Sequence, residues 1–94
     1  MVVNLEYLKK KYLKNFHNDE KLCNFVLADV IFGFSEISGI LKKNPKINSV
    51  LEIGSGSGIL LNELKFFFPH MNFKGIDPNE SGYQLYREIF ESLD

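Results

Sequence analysis

Ninety-four residues, 45% hydrophobic and 24% charged, make one globular domain at most, since domains cluster at about 100 to 150 residues. An aromatic content of 14% excludes a disordered composition, and a net charge of −1 with dispersed lysines and acids excludes a broad electrostatic footprint for nucleic acid or anionic membrane. The single cysteine, Cys23, excludes an internal disulfide and a multi-cysteine metal site, and reads as an inert core thiol.

The opening residues MVVNLEYLKKKYLK place charges after and among the apolar positions, which is not the order of a secretory signal. No stretch approaches the roughly 20 uncharged apolar residues that span a bilayer, so a cytoplasmic location is expected. Leu5, Leu8, Tyr12, Leu13 and Phe16 recur at helical spacing with lysines on the other face, and predict a helix over 5–16. Asn18, Asp19 and Glu20 read as a break and a fresh cap. A longer helix is predicted through Leu22, Phe25, Val26, Val30, Ile37, Ile40 and Leu41, weakened by Gly33 and Gly39 and ended before Pro45. The lysine runs at 9–12 and 42–46 read as solvated faces or helix ends.

The run INSVLEIG then changes character: compact, β-branched and bounded by glycine, it predicts a strand buried on both faces. Ile59, Leu60, Leu64, Phe67 and Phe68 predict a helix stopped by Pro69, with Asn62, Glu63 and Lys65 flanking its apolar stripe. MNFKGID predicts a second strand, and Leu85, Tyr86, Ile89, Phe90 and Leu93 predict a closing helix over 83–93. Residues 1–45 thus form a helical segment, and 46–94 a βαβα unit whose two strands should be parallel. His17 and His70 read as surface loop residues, with no acid or cysteine spaced to make a metal site.

Between the first strand and its helix stands VLEIGSGSG, with glycines at 54, 56 and 58. Such repetition suits a backbone that must turn sharply or admit a ligand closely, at a helix start whose unpaired N–H groups favour a carboxylate or phosphate. Ser55 and Ser57 add hydroxyl groups that donate to a ligand or cap the helix. A triphosphate-binding loop requires lysine and a hydroxyl residue after the last glycine, where Ile59 and Leu60 stand. The dinucleotide fingerprint requires its third glycine at position 59, one place later than Gly58. Asp77 follows Gly58 by nineteen residues at the end of the neighbouring strand, near the separation expected of an acid that accepts two ribose hydroxyls. In D-P-N-E it also suits a helix cap, with Pro78 at a first helical position and Asn79 as a turn residue.

VLEIGSGSG followed by FKGIDPN resembles the first two motifs of class I S-adenosylmethionine-dependent methyltransferases, closely over 50–79 and loosely over the flanking helices. The resemblance implies an α/β fold, the start of a Rossmann-like domain preceded by helices that lid the site. It implies S-adenosyl-L-methionine as cofactor. Gly54, Gly56 and Gly58, with Ser55, would wrap the methionine part, Glu52 would orient its amino end, Asp77 would hold the ribose, and of the following cofactor-binding residues Pro78 and Asn79, Asn79 would stand near the adenine edge. No catalytic residue is assigned, and the methyl acceptor is unnamed.

A doubly wound sheet usually has about six strands, whereas two are predicted here. The expectation is therefore an N-terminal, truncated or divided methyltransferase whose sheet is completed in cis or by a partner chain. Two other readings stand beside it. One is a non-catalytic Rossmann-like module that acts through a partner chain, and the other an NAD(P)-binding fragment.

Overall fold

The computed structural model describes residues 3–54 and 56–76. The closing helix predicted over 83–93, and the site residues Ser55, Asp77, Pro78 and Asn79, lie outside the described residues. Within them the chain is mixed α/β: helix α1 (Leu5–Tyr12), a 3-10 turn (Leu13–Phe16), helix α2 (Glu20–Lys43), strand β1 (Ser49–Ile53), helix α3 (Ile59–Phe67) and strand β2 (Asn72–Ile76).

Local chemistry explains the boundaries. Asn4 caps α1 by accepting from the Tyr7 N–H at 2.9 Å, and Asp19 caps α2 by accepting from Leu22 N–H at 3.1 Å. The helix predicted over 5–16 is α-helical only to Tyr12 and then tightens to 3-10 geometry. His17 (φ 53°) and Asn18 (φ 61°) close it in left-handed conformations, and the Asn18 N–H returns to the Leu13 carbonyl at 3.3 Å. Both histidines are exposed, as expected.

Neither Gly33 nor Gly39 interrupts α2, which runs through both as one 24-residue helix. At Gly33 the reason is a close approach: a Cβ there would lie 2.9 Å from Leu60 Cδ2 on α3. By length and composition alone α2 is also long and apolar enough to cross a bilayer, although Asp29 and Glu36 lie within it, so it is not an uncharged apolar stretch. Its Cys23, Leu27 and Val30 are nonetheless core residues, packed with Leu8, Tyr12 and Phe16 and with Ile59 of α3.

β1 and β2 pair in parallel, from Ser49 opposite Asn72 to Ile53 opposite Ile76, as the strand–helix–strand order predicts. A second apolar cluster of Leu41, Leu64 and Met71 receives Val50 and Phe73 from one face of this sheet. The other face is open among the described residues: Ile53 is 82% exposed, Leu51 56% and Ile76 50%. The expectation of a first strand buried on both faces is therefore corrected, because α2 and α3 cover only the side that carries Val50 and Glu52.

Candidate functional site

β1 ends at a rim where the Gly54 N–H donates to the Ile76 carbonyl at 2.6 Å, tying the start of the loop to the end of β2. Gly54 (φ 80°), Gly56 (φ 58°) and Gly58 (φ 82°) are all left-handed, a conformation that costs an L side chain about 1 to 2 kcal/mol. A Cβ on Gly54 would meet nothing within 4 Å, so the backbone angle rather than crowding requires glycine there. Gly58 is the N-cap of α3 and supplies no side chain; the Ser57 hydroxyl accepts from the Ile59 N–H only at 3.4 Å. A helix start capped this lightly keeps N–H donors for an incoming anion.

The loop borders a cleft of about 240 Å³. Glu52, Gly54, Gly56 and Ser57 form one side, α2 supplies Phe25, Val26, Asp29 and Val30 on the other, and Leu60 of α3 completes it. Of the residues predicted to bind a cofactor, Glu52, Gly54 and Gly56 are thus brought together, while Gly58 lies buried at the helix start behind them. Asp29 and Phe25 are additions from α2. Their only mark in the sequence is a carboxylate interrupting an otherwise apolar helical stretch, on the same face as Phe25 and Val26.

Sequence reasoning also missed a second constellation on α3. Glu63 is fully buried, and its Oε2 accepts from Lys11 Nζ at 2.8 Å and from the Tyr12 hydroxyl at 2.7 Å. Asn62 Nδ2 donates in turn to the Tyr12 hydroxyl oxygen at 2.6 Å. The Lys11 ammonium lies 4.7 Å from the centre of the Phe66 ring, a cation–π contact that adds to the ion pair. Burial drives the Tyr12 hydroxyl far above its ordinary value of 10.0, and the Glu63 carboxylate adds to the shift. For Lys11 burial acts downward, but the hydrogen bond and charge of Glu63 outweigh it and hold the ammonium above its ordinary 10.5. Burial likewise raises the Cys23 thiol, consistent with an unreactive core cysteine. The Glu63 cluster holds α1 against α3 and has no part in the cleft.

Among the described residues no group of three or more His, Cys, Asp or Glu side chains is placed to hold a metal ion. Comparison of the chain with models of protein families, with curated proteins and with solved structures gives no match.

Proposed function

We propose that the chain binds S-adenosylmethionine at the β1–α3 rim, as the cofactor half of a Rossmann-like class I methyltransferase. The observation that carries this reading is the run of three left-handed glycines between a parallel strand and a helix start, beside a cleft into which Glu52 also faces. The donor set fits the aminoacyl end of that cofactor. Loop and first-turn N–H groups suit its carboxylate, and the Glu52 carboxylate suits its ammonium. Val26, Val30 and Leu60 would exclude water around the methylene chain of the aminoacyl end. At about 240 Å³ the cleft is smaller than the roughly 300 to 1,000 Å³ that enclose a whole ligand of this class. It therefore accounts for the aminoacyl half alone; Asp77, Pro78 and Asn79, which the sequence resemblance assigns to the cofactor, lie outside the described residues.

When bound, the cofactor supplies an electrophilic methyl group on a sulfonium. The chain's own contribution is to hold the donor in one orientation, so that an acceptor meets it in line. We read the protein as cytoplasmic, with α2 as a core helix, because its buried stripe packs on α1 and α3 and because Asp29 and Glu36 interrupt its apolar length.

Titration calorimetry on the 94-residue chain with S-adenosylmethionine, S-adenosylhomocysteine and NAD tests the proposal. The expected result is saturable binding of the two adenosyl-sulfur compounds and none of NAD; heat with NAD alone would replace this reading by the dinucleotide one. A second reading rests on the open sheet face of Leu51, Ile53 and Ile76. It is a non-catalytic module whose sheet is covered by a partner chain, and it gains if a well-folded chain binds none of the three.

A further inference from the structure

The cleft holds two carboxylates, and the aminoacyl contacts described above use one of them. Asp29 stands on α2 one turn beyond Phe25 and Val26 and next to Val30, and all four line the cleft opposite Glu52. Asp29 makes no hydrogen bond or ion pair with any described residue, and among the described residues no lysine or arginine lines the cleft. Two carboxylates thus border a small space that they share with the glycine loop, Ser57 and the apolar side chains of Phe25, Val26, Val30 and Leu60, and both favour a bound cation.

The charges of the methyl donor and of its demethylated product indicate what the second acid does. Both carry an ammonium, matched by Glu52, and a carboxylate, matched by the loop. They differ at sulfur. In the transfer the acceptor's lone pair forms the new bond to the methyl carbon, the sulfur–carbon bond breaks, and sulfur keeps the electron pair, passing from a cationic sulfonium to a neutral thioether. Resting on the cofactor reading above, we infer that Asp29 is the specificity-determining residue by which this cleft distinguishes the charged donor from its neutral product. Its carboxylate favours the sulfonium through space and gains nothing from the thioether, so the same residue that retains the donor does not retain the product. Because Asp29 is exposed, the attraction is moderate and screened by salt.

The test measures dissociation constants for S-adenosylmethionine and S-adenosylhomocysteine on the full chain and on its Asp29→Asn and Asp29→Ser variants. Glu36→Gln is the control, an exposed acid on the same helix away from the cleft. Wild type should bind the donor more tightly than the product. Either substitution at Asp29 should weaken donor binding about three- to tenfold, the range for one unit charge acting across a partly solvated cleft, with product binding unchanged within about twofold. Raising the salt concentration should narrow the wild-type preference, and Glu36→Gln should alter neither constant. If both Asp29 variants weaken donor and product equally, or neither, while wild type binds both, the inference is overturned and the cofactor reading survives. If folded wild type binds neither compound, the cofactor reading fails and takes this inference with it.

Discussion

The first two turns of α3 serve two constellations of opposite character. At the helix start, left-handed glycines and the carboxylates of Glu52 and Asp29 surround open space. One turn later Glu63 is fully buried, and Lys11, Tyr12 and Asn62 complete a hydrogen-bonded cluster around it. The contrast separates polar groups that stabilise the fold from those that can serve a ligand. Burial makes an internal partner costly to forgo, since an unpaired buried charge costs several kcal/mol; Glu63 meets this through Oε2 alone, while Oε1 has no hydrogen-bond partner among the described residues. At the rim the loop and its carboxylates border a cleft that a ligand can enter.

The largest expected effect lies on the buried side. Glu63→Ala removes the anchor of Lys11 and Tyr12 and should lower unfolding free energy by about 3 kcal/mol in urea titration, with α1 the first element to lose protection in hydrogen exchange. A loss below about 1 kcal/mol would mean that the cluster is incidental to stability. In the folded remainder the dissociation constant for S-adenosylmethionine should change less than about twofold, since that cluster lies outside the cleft.

At the rim the order of effects reverses. Gly54→Ala and Gly56→Ala each force a left-handed angle on an L residue and should cost about 1 to 2 kcal/mol in thermal unfolding. Their effect on ligand affinity should reach about tenfold, the equivalent of 1.4 kcal/mol, because a shifted loop misplaces its N–H donors. A variant that lost stability yet bound the ligand as well as wild type would detach the glycines from the site.

The pH dependence sharpens the comparison further. Tyr12 and Lys11 both titrate above their ordinary values of 10.0 and 10.5 in the folded chain, so the folded state binds more protons at high pH than the unfolded one. Their stabilisation is complete below about pH 10 and is lost as pH rises through the folded values. Denaturation midpoints should therefore fall from about pH 10 upward, by less than about 1.4 kcal/mol per pH unit for each group, and Tyr12→Phe should make the decline shallower. A flat profile to pH 11 would contradict the buried cluster. The smallest effect is expected at Gly33→Ala, where a helix-propensity gain of about 1 kcal/mol is offset by displacing the Leu60 methyl 2.9 Å away. Calorimetric melting should register a net change under about 1 kcal/mol.

What could be read from the residues divides along the same line. The parallel pair, the glycine loop and the placement of Glu52, Gly54 and Gly56 on one rim followed from local patterns a few residues long. Glu63 did not, because its partners stand 52 and 51 positions away and nothing near residue 63 announces that a charged flank turns inward. The strand misled for a related reason. In V-L-E-I the acid shares the covered face with Val50 while Leu51 and Ile53 face outward, so apolar composition predicted burial on both faces where one is open among the described residues. Asp29 was hidden by its setting in an otherwise apolar helix, and only the packing of α2 against the loop brings it beside Glu52.

Amide nitrogen–proton correlation spectra of the labelled chain during titration with S-adenosylmethionine test the central claim most directly. The account predicts saturable shifts at Gly54, Gly56, Ser57, Leu60 and Asp29, with Lys11, Tyr12 and Glu63 nearly unmoved. Shifts centred on the buried cluster or on the open sheet face, or none at millimolar ligand in a folded sample, would contradict it.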